Sequence, residues 1–570
     1  MTFLGLNSFF EHPAAALIRD GELVFAAEDE RFTGIKHGRR YTPFKSYMPL
    51  DAIYHALSFA GLTTADLAGV GYSYSSALHL KSLGGCLTGQ RISSLREELE
   101  AFRSCRNNRL VLTSGYELLE KHRRVIDPAD FGRARYQEWD HHLCHAASAF
   151  FGSGFERALV IVADGSGEAS STSVYLGSGR TLEPVDRYPI PHSLGIFYSM
   201  VTRHLGFEPF SDEFKVMGLA AYGEPRFVGE LEQVLVLGSD GGYRVALDRL
   251  QALERLLGER RRPWEPLLDV HRDIARSAQV LLERAIEGLV RRHVRQTGAD
   301  RLCLAGGVFL NCVSNGRLAE KGLVSDIFVH PAAHDAGTAV GAATLSWIAA
   351  GGDGRLRFDS MALGTRASPA EVTAVLDRGG IPYTRLGEDD MTARLAGLLA
   401  RGAIGALFRG RMEFGPRALG MRSLVASPVL AETRTRLNDI KQREQFRPIS
   451  PMVTEEAFSD FFDGFRSRYM LFTVKVRPGV AHRIAAVAHV DGTARAQVIR
   501  RADDPFLHQL LTRFGERSGV PILVNTSFNV RGKPIVENVS EALGCFYASG
   551  LDFLLLDDVL VERAPDGSRR

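Results

Sequence analysis

The chain has 570 residues, 45% of them hydrophobic and 24% charged, with a formal net charge of +2. That length exceeds what one hydrophobic core organises, so two or more domains of ordinary globular composition are expected. A nearly balanced charge supplies no long-range field favouring nucleic acid or a membrane over a small molecule, so any basic site must be local.

In chain order, the short apolar run "FLGLN" is followed by "AAALIRDGELVFAAEDE", where Asp20 and Gly21 separate two strand-like runs as in a hairpin. The opening "MTFLGLNSFFEHPAAAL" lacks a cationic start and meets His12 and Pro13 too early for a signal-peptide core. No run approaches eighteen apolar residues, so a cytoplasmic protein without a membrane partner is expected. Residues 75–135 look helical and stand between two similar units, as an insertion placed to shape a binding pocket. From residue 158 the opening pattern returns: an apolar strand, the acidic Gly-rich loop "ADGSGE", then two strands around "GSGR". The two halves look duplicated, and a strand ending in such a loop brings backbone amides and one acidic side chain to a phosphate or metal.

A helical stretch follows, with Val270, Ile274, Leu281, Ala285 and Leu289 at helical spacing. It leads to "ADRLCLAGGVFLN", a strand entering a double-glycine turn, then to "SDIFVHPAAHDAG" and the small-residue helix "TAVGAATLSWIAAG". The Gly-rich stretch 350–360 breaks the periodicity and places a domain boundary, giving 1–352 and 353–570. Beyond it "IGALFRG", "PILVNTSFN" and "LDFLLLDD" read as buried strands of a second α/β domain. The six cysteines, Cys86, Cys105, Cys144, Cys303, Cys312 and Cys545, include no CxxC pair, as expected of thiols in a reducing compartment.

The segment "DHHLCHAASAFF" suits a helix on which His141 and His145 lie one turn apart on the same face, with His142 pointing elsewhere and Cys144 packing. Such a pair also fits surface or capping histidines. Asp164 and Asp335, at the ends of expected strands, favour the metal reading because they supply the oxygen ligands two imidazoles lack. The glutamate of HExxH is missing, which disfavours zinc-protease chemistry. Fe(II), Mn(II) and Zn(II) all suit the donor set.

In order, "DHHLCHA", "ADGSGE", "FKVMGLAAYG", "LAGGVFLNCVSNGRL" and "HPAAHDAGTAVGAA" resemble the NodU/CmcH carbamoyltransferases along nearly the whole chain. The resemblance implies an α/β fold: a duplicated RNase H-like (ASKHA) lobe, then a YrdC-like lobe. It implies iron held by His141, His145, Asp164 and Asp335, with the ion helping to bind carbamoyl adenylate beside Asp164. Gly306 and Gly307 would let backbone approach the nucleotide, and Asn311 would hydrogen-bond to it. His12 matches a family histidine that takes the proton of the acceptor hydroxyl, a task suited to a neutral imidazole. The family's His-Asp is His12-Pro13 here, which leaves Glu11 as the nearby carboxylate. Lys215, a charge inside an apolar stretch, is a second-tier candidate for a phosphate or the acceptor.

The second domain concentrates Arg409, Arg411, Arg417, Arg422, Lys441, Arg443 and Arg447 within "RGRMEFGPRALGMRS" and "KQREQFRP". Guanidinium forks and ammonium groups at this density suit a triphosphate or carbamoyl phosphate better than nucleic acid, and no interleaved aromatics argue for base stacking. A solvated basic face paired with Glu413, Asp439 and Glu444 is the plainer alternative. The resemblance to YrdC-like lobes assigns a KxR motif to Lys441 and Arg443 and an SxN motif to Ser527 and Asn529. It adds Arg417, Arg447, Arg495 and Asn525 around nucleotide and carbamate, with His12, Lys441 and Arg447 as catalytic groups. The implied activity is ATP-dependent O-carbamoyl transfer to a hydroxyl of a small natural product, such as an antibiotic. A homodimer is compatible with the sequence. A non-haem Fe(II) oxygenase leaves the cationic cluster unexplained, and a tRNA threonylcarbamoyladenosine-type enzyme fits poorly with the neutral charge.

Overall fold

A computed structural model describes residues 1–38, 48–82, 114–115, 118–133 and 136–563. These divide into two compact units, Met1–Phe358 and Asp359–Arg570. Much of the expected insertion at 75–135 lies outside the described residues; its described parts include the short helices Ser76–Ser82, Glu120–Arg123 and Pro128–Arg133.

The first unit contains two five-stranded sheets built alike. One comprises β1 (Thr2–Asn7), β2 (Ala14–Arg19), β3 (Glu22–Glu28), β4 (Gly69–Tyr72) and β5 (Tyr136–Glu138), in the order β3-β2-β1-β4-β5. The other comprises β6 (Arg157–Ala163), β7 (Ser170–Ser178), β8 (Thr181–Pro189), β11 (Arg301–Ala305) and β12 (Asp326–Val329). Its order is β12-β11-β6-β7-β8, while β9 (Leu235–Leu237) and β10 (Tyr243–Val245) form a separate hairpin. In each sheet the first three strands run antiparallel and the last two continue parallel to the first. The duplication expected from sequence is therefore present in strand order and direction.

Local chemistry accounts for these elements. At the β2–β3 turn both Asp20 (φ 48°) and Gly21 (φ 81°) are left-handed, which is what a tight I′ hairpin turn requires and why Asp-Gly stands there. All six residues of β1 are buried, as its unbroken apolar run implies. The helix Asp269–Thr297 buries Ile274, Leu281, Ala285 and Leu289, but Val270, in its first turn, is exposed. The small-residue helix Ala336–Ala349 packs on the helix His141–Ser153. A Cβ on Gly341 would stand 1.8 Å from the Cys144 carbonyl oxygen, so glycine there sets how closely the two backbones approach. This packing fixes the His141–Ser153 helix against the element that Asp335 precedes.

The second unit is organised on an eight-stranded mixed sheet. Its strand order is Thr384–Arg385, Val559–Glu562, Phe553–Leu556, Gly405–Phe408, Arg422–Ala426, Ile522–Ser527, Ser450–Thr454 and Gln497–Ile499. Both faces are covered: Ala406, Phe408, Leu554 and Leu556 enter one core, and Leu407, Phe553 and Leu555 the other. That two-sided burial explains why "GALF" and "FLLL" read as continuous apolar runs. Among the described residues no helix is long and apolar enough to cross a membrane.

Candidate active site

Asp140 starts the helix His141–Ser153 by accepting the Leu143 amide at 2.8 Å. His141 and His145 thereby fall one turn apart on one face, both fully buried. Asp164 follows directly on β6, and Asp335 occupies the N-cap position of Ala336–Ala349 without giving its side chain to the cap. Both carboxylates turn to the histidines instead. Asp164 Oδ2 lies 3.5 Å, and Asp335 Oδ1 3.6 Å, from the Nε2 atoms of His141 and His145.

These separations are too long for good hydrogen bonds, and Nε2 of His141 and both ring nitrogens of His145 have no hydrogen-bond partner. Two donors each about 2.1 Å from one ion at a tetrahedral angle stand about 3.4 Å apart. The four donor atoms all lie within 4.8 Å of one another, so the geometry suits a shared divalent cation. His141 Nδ1 stands 3.3 Å from the Ser73 carbonyl oxygen, which as acceptor would leave the Nε2 lone pair for a cation that displaces the ring's other proton. Burial opposes charge on His141, yet the two carboxylates hold its ring up to about 10; burial likewise opposes ionisation of Asp164, which the histidines hold well below the usual range. Each sign of charge is stabilised by the other.

Gly307 donates its amide to Asp164 Oδ1 at 3.1 Å, and Gly306 adopts φ 96°, where a Cβ would stand 2.2 Å from the Ala163 carbonyl oxygen. The double glycine, read from sequence as a nucleotide approach, thus also positions a carboxylate. Asn311 caps the helix Cys312–Glu320 through Ser314 (3.0 Å) and bonds Gln279 (2.8 Å), so its side chain is engaged in structure. His142 packs away from the centre, with Nδ1 2.8 Å from Ser173 Oγ, and Cys144 is buried, as the spacing predicted. Lys215 pairs with Asp212 at 3.0 Å. His12 sits in the β1–β2 loop at φ 55°, its ring 4.4 Å from that of His334, the neighbour of Asp335.

In the second unit the cationic residues separate into two groups. Arg409 forms a two-pronged pair with Asp504 (Nη2 to Oδ1 2.6 Å, Nη1 to Oδ2 3.1 Å), Arg411 donates to the Leu363 and Gly364 carbonyls, and buried Arg422 donates to the Arg409 and Gly410 carbonyls. These three hold loops. The other group gathers near the end of the strand Ile522–Ser527. Lys441 Nζ donates to the Ser527 carbonyl (2.5 Å) and Asn529 Oδ1 (2.7 Å), and Ser527 Oγ donates to Asn529 Oδ1 (2.8 Å). The KxR and SxN tripeptides are thus in contact. Burial, then the charges of Arg447 and Arg495, push the Arg443 guanidinium down to about 9, so three guanidiniums share one region. Arg495 Nε donates to Ser450 Oγ (3.0 Å), Arg447 stands 3.7 Å from Glu444, and Asn525 bonds Gln497 (2.6 Å) and the Ala418 carbonyl (3.0 Å). Arg417 is half-buried in the loop before Arg422–Ala426.

Residues 2–344 match the family model of the carbamoyltransferase N-terminus, and residues 396–563 that of the carbamoyltransferase C-terminus. The chain belongs to the carbamoyltransferase family. The nodulation protein NolNO of Sinorhizobium fredii is 38% identical over 98% of this chain and 80% of its own length. NolO of Bradyrhizobium diazoefficiens is 43% identical over 75% of this chain and 79% of its own. The 3'-hydroxymethylcephem-O-carbamoyltransferase of Amycolatopsis lactamdurans is 36% identical over half of this chain and 54% of its own.

Several residues of this carbamoyltransferase that shape the site escaped the sequence reading. Glu168, inside the quoted "ADGSGE", accepts the His141 amide (3.2 Å) and the Ser75 amide (2.6 Å), and burial pushes its carboxyl up to about 7. Asn7, at the end of β1, donates to the carbonyls of Glu11 (2.7 Å) and His12 (3.0 Å), pinning the loop that carries His12. The Phe10 ring lies 3.9 Å from that of His141. An asparagine closing the apolar run of β1 was the available signal for Asn7; Phe10 gave none.

Proposed function

We propose that this carbamoyltransferase is an ATP-dependent O-carbamoyltransferase whose acceptor is a hydroxyl of a small natural product, and that its two units divide the chemistry. The single observation carrying the reading is the convergence of His141, His145, Asp164 and Asp335 on one point in a chain of this family. The matching strand order of the two sheets supports a duplicated RNase H-like lobe, and the contact between Lys441 and Asn529 supports a YrdC-like second lobe.

In the second unit, water converts carbamoyl phosphate to carbamate and phosphate. A carbamate oxygen then attacks the α-phosphorus of ATP, forming carbamoyl adenylate and releasing pyrophosphate. Both steps move negative charge between phosphates, and Arg417, Arg443, Arg447 and Arg495 are the groups to bind it, with Mg2+ accompanying ATP. Lys441 holds the Ser527–Asn529 backbone against which carbamate and nucleotide would lie. In the first unit the acceptor oxygen attacks the carbamoyl carbon, AMP leaves, and His12 takes the hydroxyl proton. Iron or another divalent ion, held by the four ligands, would supply positive charge beside the carbamoyl and phosphate oxygens. The cephem O-carbamoyltransferase relative favours a hydroxymethyl-type acceptor over a macromolecule.

Incubation of the protein with ATP, carbamoyl phosphate and divalent metal should yield pyrophosphate and carbamoyl adenylate, detected by mass spectrometry. Absence of the adenylate would sink the two-step reading.

A further inference from the structure

Glu168 is 2% exposed, and a carboxylate taken out of water is costly to keep unless donors meet its oxygens. Two of its donors are backbone amides from segments far apart in the chain. Oε1 accepts the Ser75 amide at 2.6 Å, while the His141 amide points between the two oxygens, 3.3 Å from Oε1 and 3.2 Å from Oε2.

These bonds reach the four-ligand centre from three sides. Glu168 stands in the same loop as Asp164, four residues further on. His141 opens the helix that carries both histidine ligands. Ser75 lies two residues past Ser73, whose carbonyl oxygen is 3.3 Å from His141 Nδ1. One carboxylate thus ties the loop of one ligand to the backbone of a second and to the segment that meets the second ligand's ring.

We infer that Glu168 is a positioning residue of the four-ligand centre. Its bonds to the Ser75 and His141 amides hold the Ser73 carbonyl against the His141 ring, so that Nε2 faces Asp164 and Asp335. This role rests on the four-ligand centre of the proposed function and on none of its carbamoyl chemistry.

The plainer roles for such a carboxylate belong to other residues. Asp140 already caps the His141–Ser153 helix through the Leu143 amide (2.8 Å). Glu168 takes the amide of the first helical residue, which that cap leaves open, at the end of the helix where negative charge is favoured. The start of the helix Ser76–Ser82 is held by Glu138, the last residue of β5, which accepts the Ser76 amide (2.9 Å) and hydroxyl (2.6 Å). Neither bond involves His141.

The segment from Ser73 to Ser75 is fastened at both ends. Ser73 donates its amide to the Leu6 carbonyl (3.0 Å) and its hydroxyl to Asn7 Oδ1 (3.0 Å), which fixes the near end to β1. Glu168 fixes the far end. Metal-binding histidines are oriented by the partner of their other ring nitrogen, and loss of such a partner costs roughly 10–100-fold in metal affinity. Glu168 acts one step further out, on the backbone that carries the partner.

The test uses Co2+, whose visible absorption bands report the arrangement of its ligands. The full chain, stripped with a chelator, is titrated with Co2+ by calorimetry and absorption, with thermal unfolding as the fold control. Glu168→Ala should weaken Co2+ binding about 10-fold and shift the bands. Glu168→Gln keeps an oxygen for the two amides and should recover most of the affinity and the parent spectrum. Glu138→Ala loosens Ser76 without touching His141 and should keep both. Parent-like binding and bands in Glu168→Ala overturn the role. So does an equal loss in Glu168→Gln, which would make charge rather than position the cause, or in Glu138→Ala, which would make it a loosened Ser76–Ser82 helix. Should Glu168→Ala not fold, Glu168→Asp decides, since it keeps the charge and draws the carboxylate back by one methylene: weaker binding with shifted bands supports the role, and parent-like binding overturns it. A parent protein that takes up no Co2+ defeats the four-ligand centre and this role together. One that binds the ion but transfers no carbamoyl group defeats the reaction reading and leaves the role standing.

Discussion

Gly307 holds Asp164 through its amide, at 3.1 Å from Oδ1, while Oδ2 of the same carboxylate faces His141 and His145 at 3.5 Å. The adjacent glycines should therefore fail differently when replaced. A Cβ on Gly306 would sit 2.2 Å from the Ala163 carbonyl oxygen at a left-handed φ, so Gly306→Ala should cost more than about 2 kcal/mol and lower the melting temperature. On Gly307 the Cβ meets only Asp164 Oδ1, at 3.0 Å. Gly307→Ala should keep its stability and lose roughly 10–100-fold in metal affinity. Calorimetric unfolding and metal titration of both variants check this; equal melting temperatures would contradict it.

Of the three clustered histidines, only two should matter for the ion. His145→Ala removes a fully buried donor of the four-ligand centre and should abolish binding there. His142→Ala removes a ring bonded to Ser173 instead, and should leave that binding within about 3-fold while costing on the order of 1–3 kcal/mol of stability. The measurement is isothermal titration with Mn2+ or Zn2+. Equal loss in both variants would mean that His142 reaches the ion.

How much of this was legible in sequence follows from what each signal encodes. His141 and His145 were readable because helical periodicity alone puts i and i+4 on one face, and the duplicated sheets because Asp20-Gly21 and the "GSGR" turn mark equivalent hairpins. The double glycine was visible but its job was not, because the Asp164 carboxylate it serves is far away in the chain. The cationic run misled in part: Arg409, Arg411 and Arg422 look like phosphate ligands until their partners, Asp504 and loop carbonyls, are seen. That Glu30 and His37 approach His12 was not legible, since residues from three separate elements share no period.

Asp29 should give the first unit a pH-dependent stability. Its Oδ1 accepts the Ala52 amide at 2.9 Å at the start of the helix Leu50–Ala60, and burial pushes its carboxyl up to about 7, with Asp51 adding repulsion and Lys121 opposing it. A carboxyl raised above its unfolded value of about 3.9 binds more protons folded than unfolded between roughly pH 4 and 7. Its contribution therefore falls as pH rises through that window. Asp29→Asn keeps an oxygen for Ala52 and cannot ionise, so it should gain up to about 4 kcal/mol over the parent at pH 8 and nothing at pH 4. Thermal unfolding across that range is the check, and a gain independent of pH would refute it.

Lys441 and Arg409 are both cationic residues of the second unit, and they should separate chemistry from scaffolding. Lys441 Nζ spans the Ser527 carbonyl and Asn529 Oδ1, so Lys441→Ala frees the strand end that the proposed adenylate would lie against. Adenylate formation should fall at least about 100-fold, the scale of losing one positioned charged group, with the metal content of the first unit unchanged. Arg409→Ala leaves Asp504 without its guanidinium while Asp504 still caps the helix Pro505–Ser518 through Leu507. That change should cost about 3 kcal/mol, as breaking a largely buried pair does, and reduce adenylate formation only in proportion to the protein unfolded. Mass-spectrometric quantification of adenylate, scaled to the folded fraction, distinguishes the two. Scaled activity lost equally in both variants would place Arg409 at the phosphates after all.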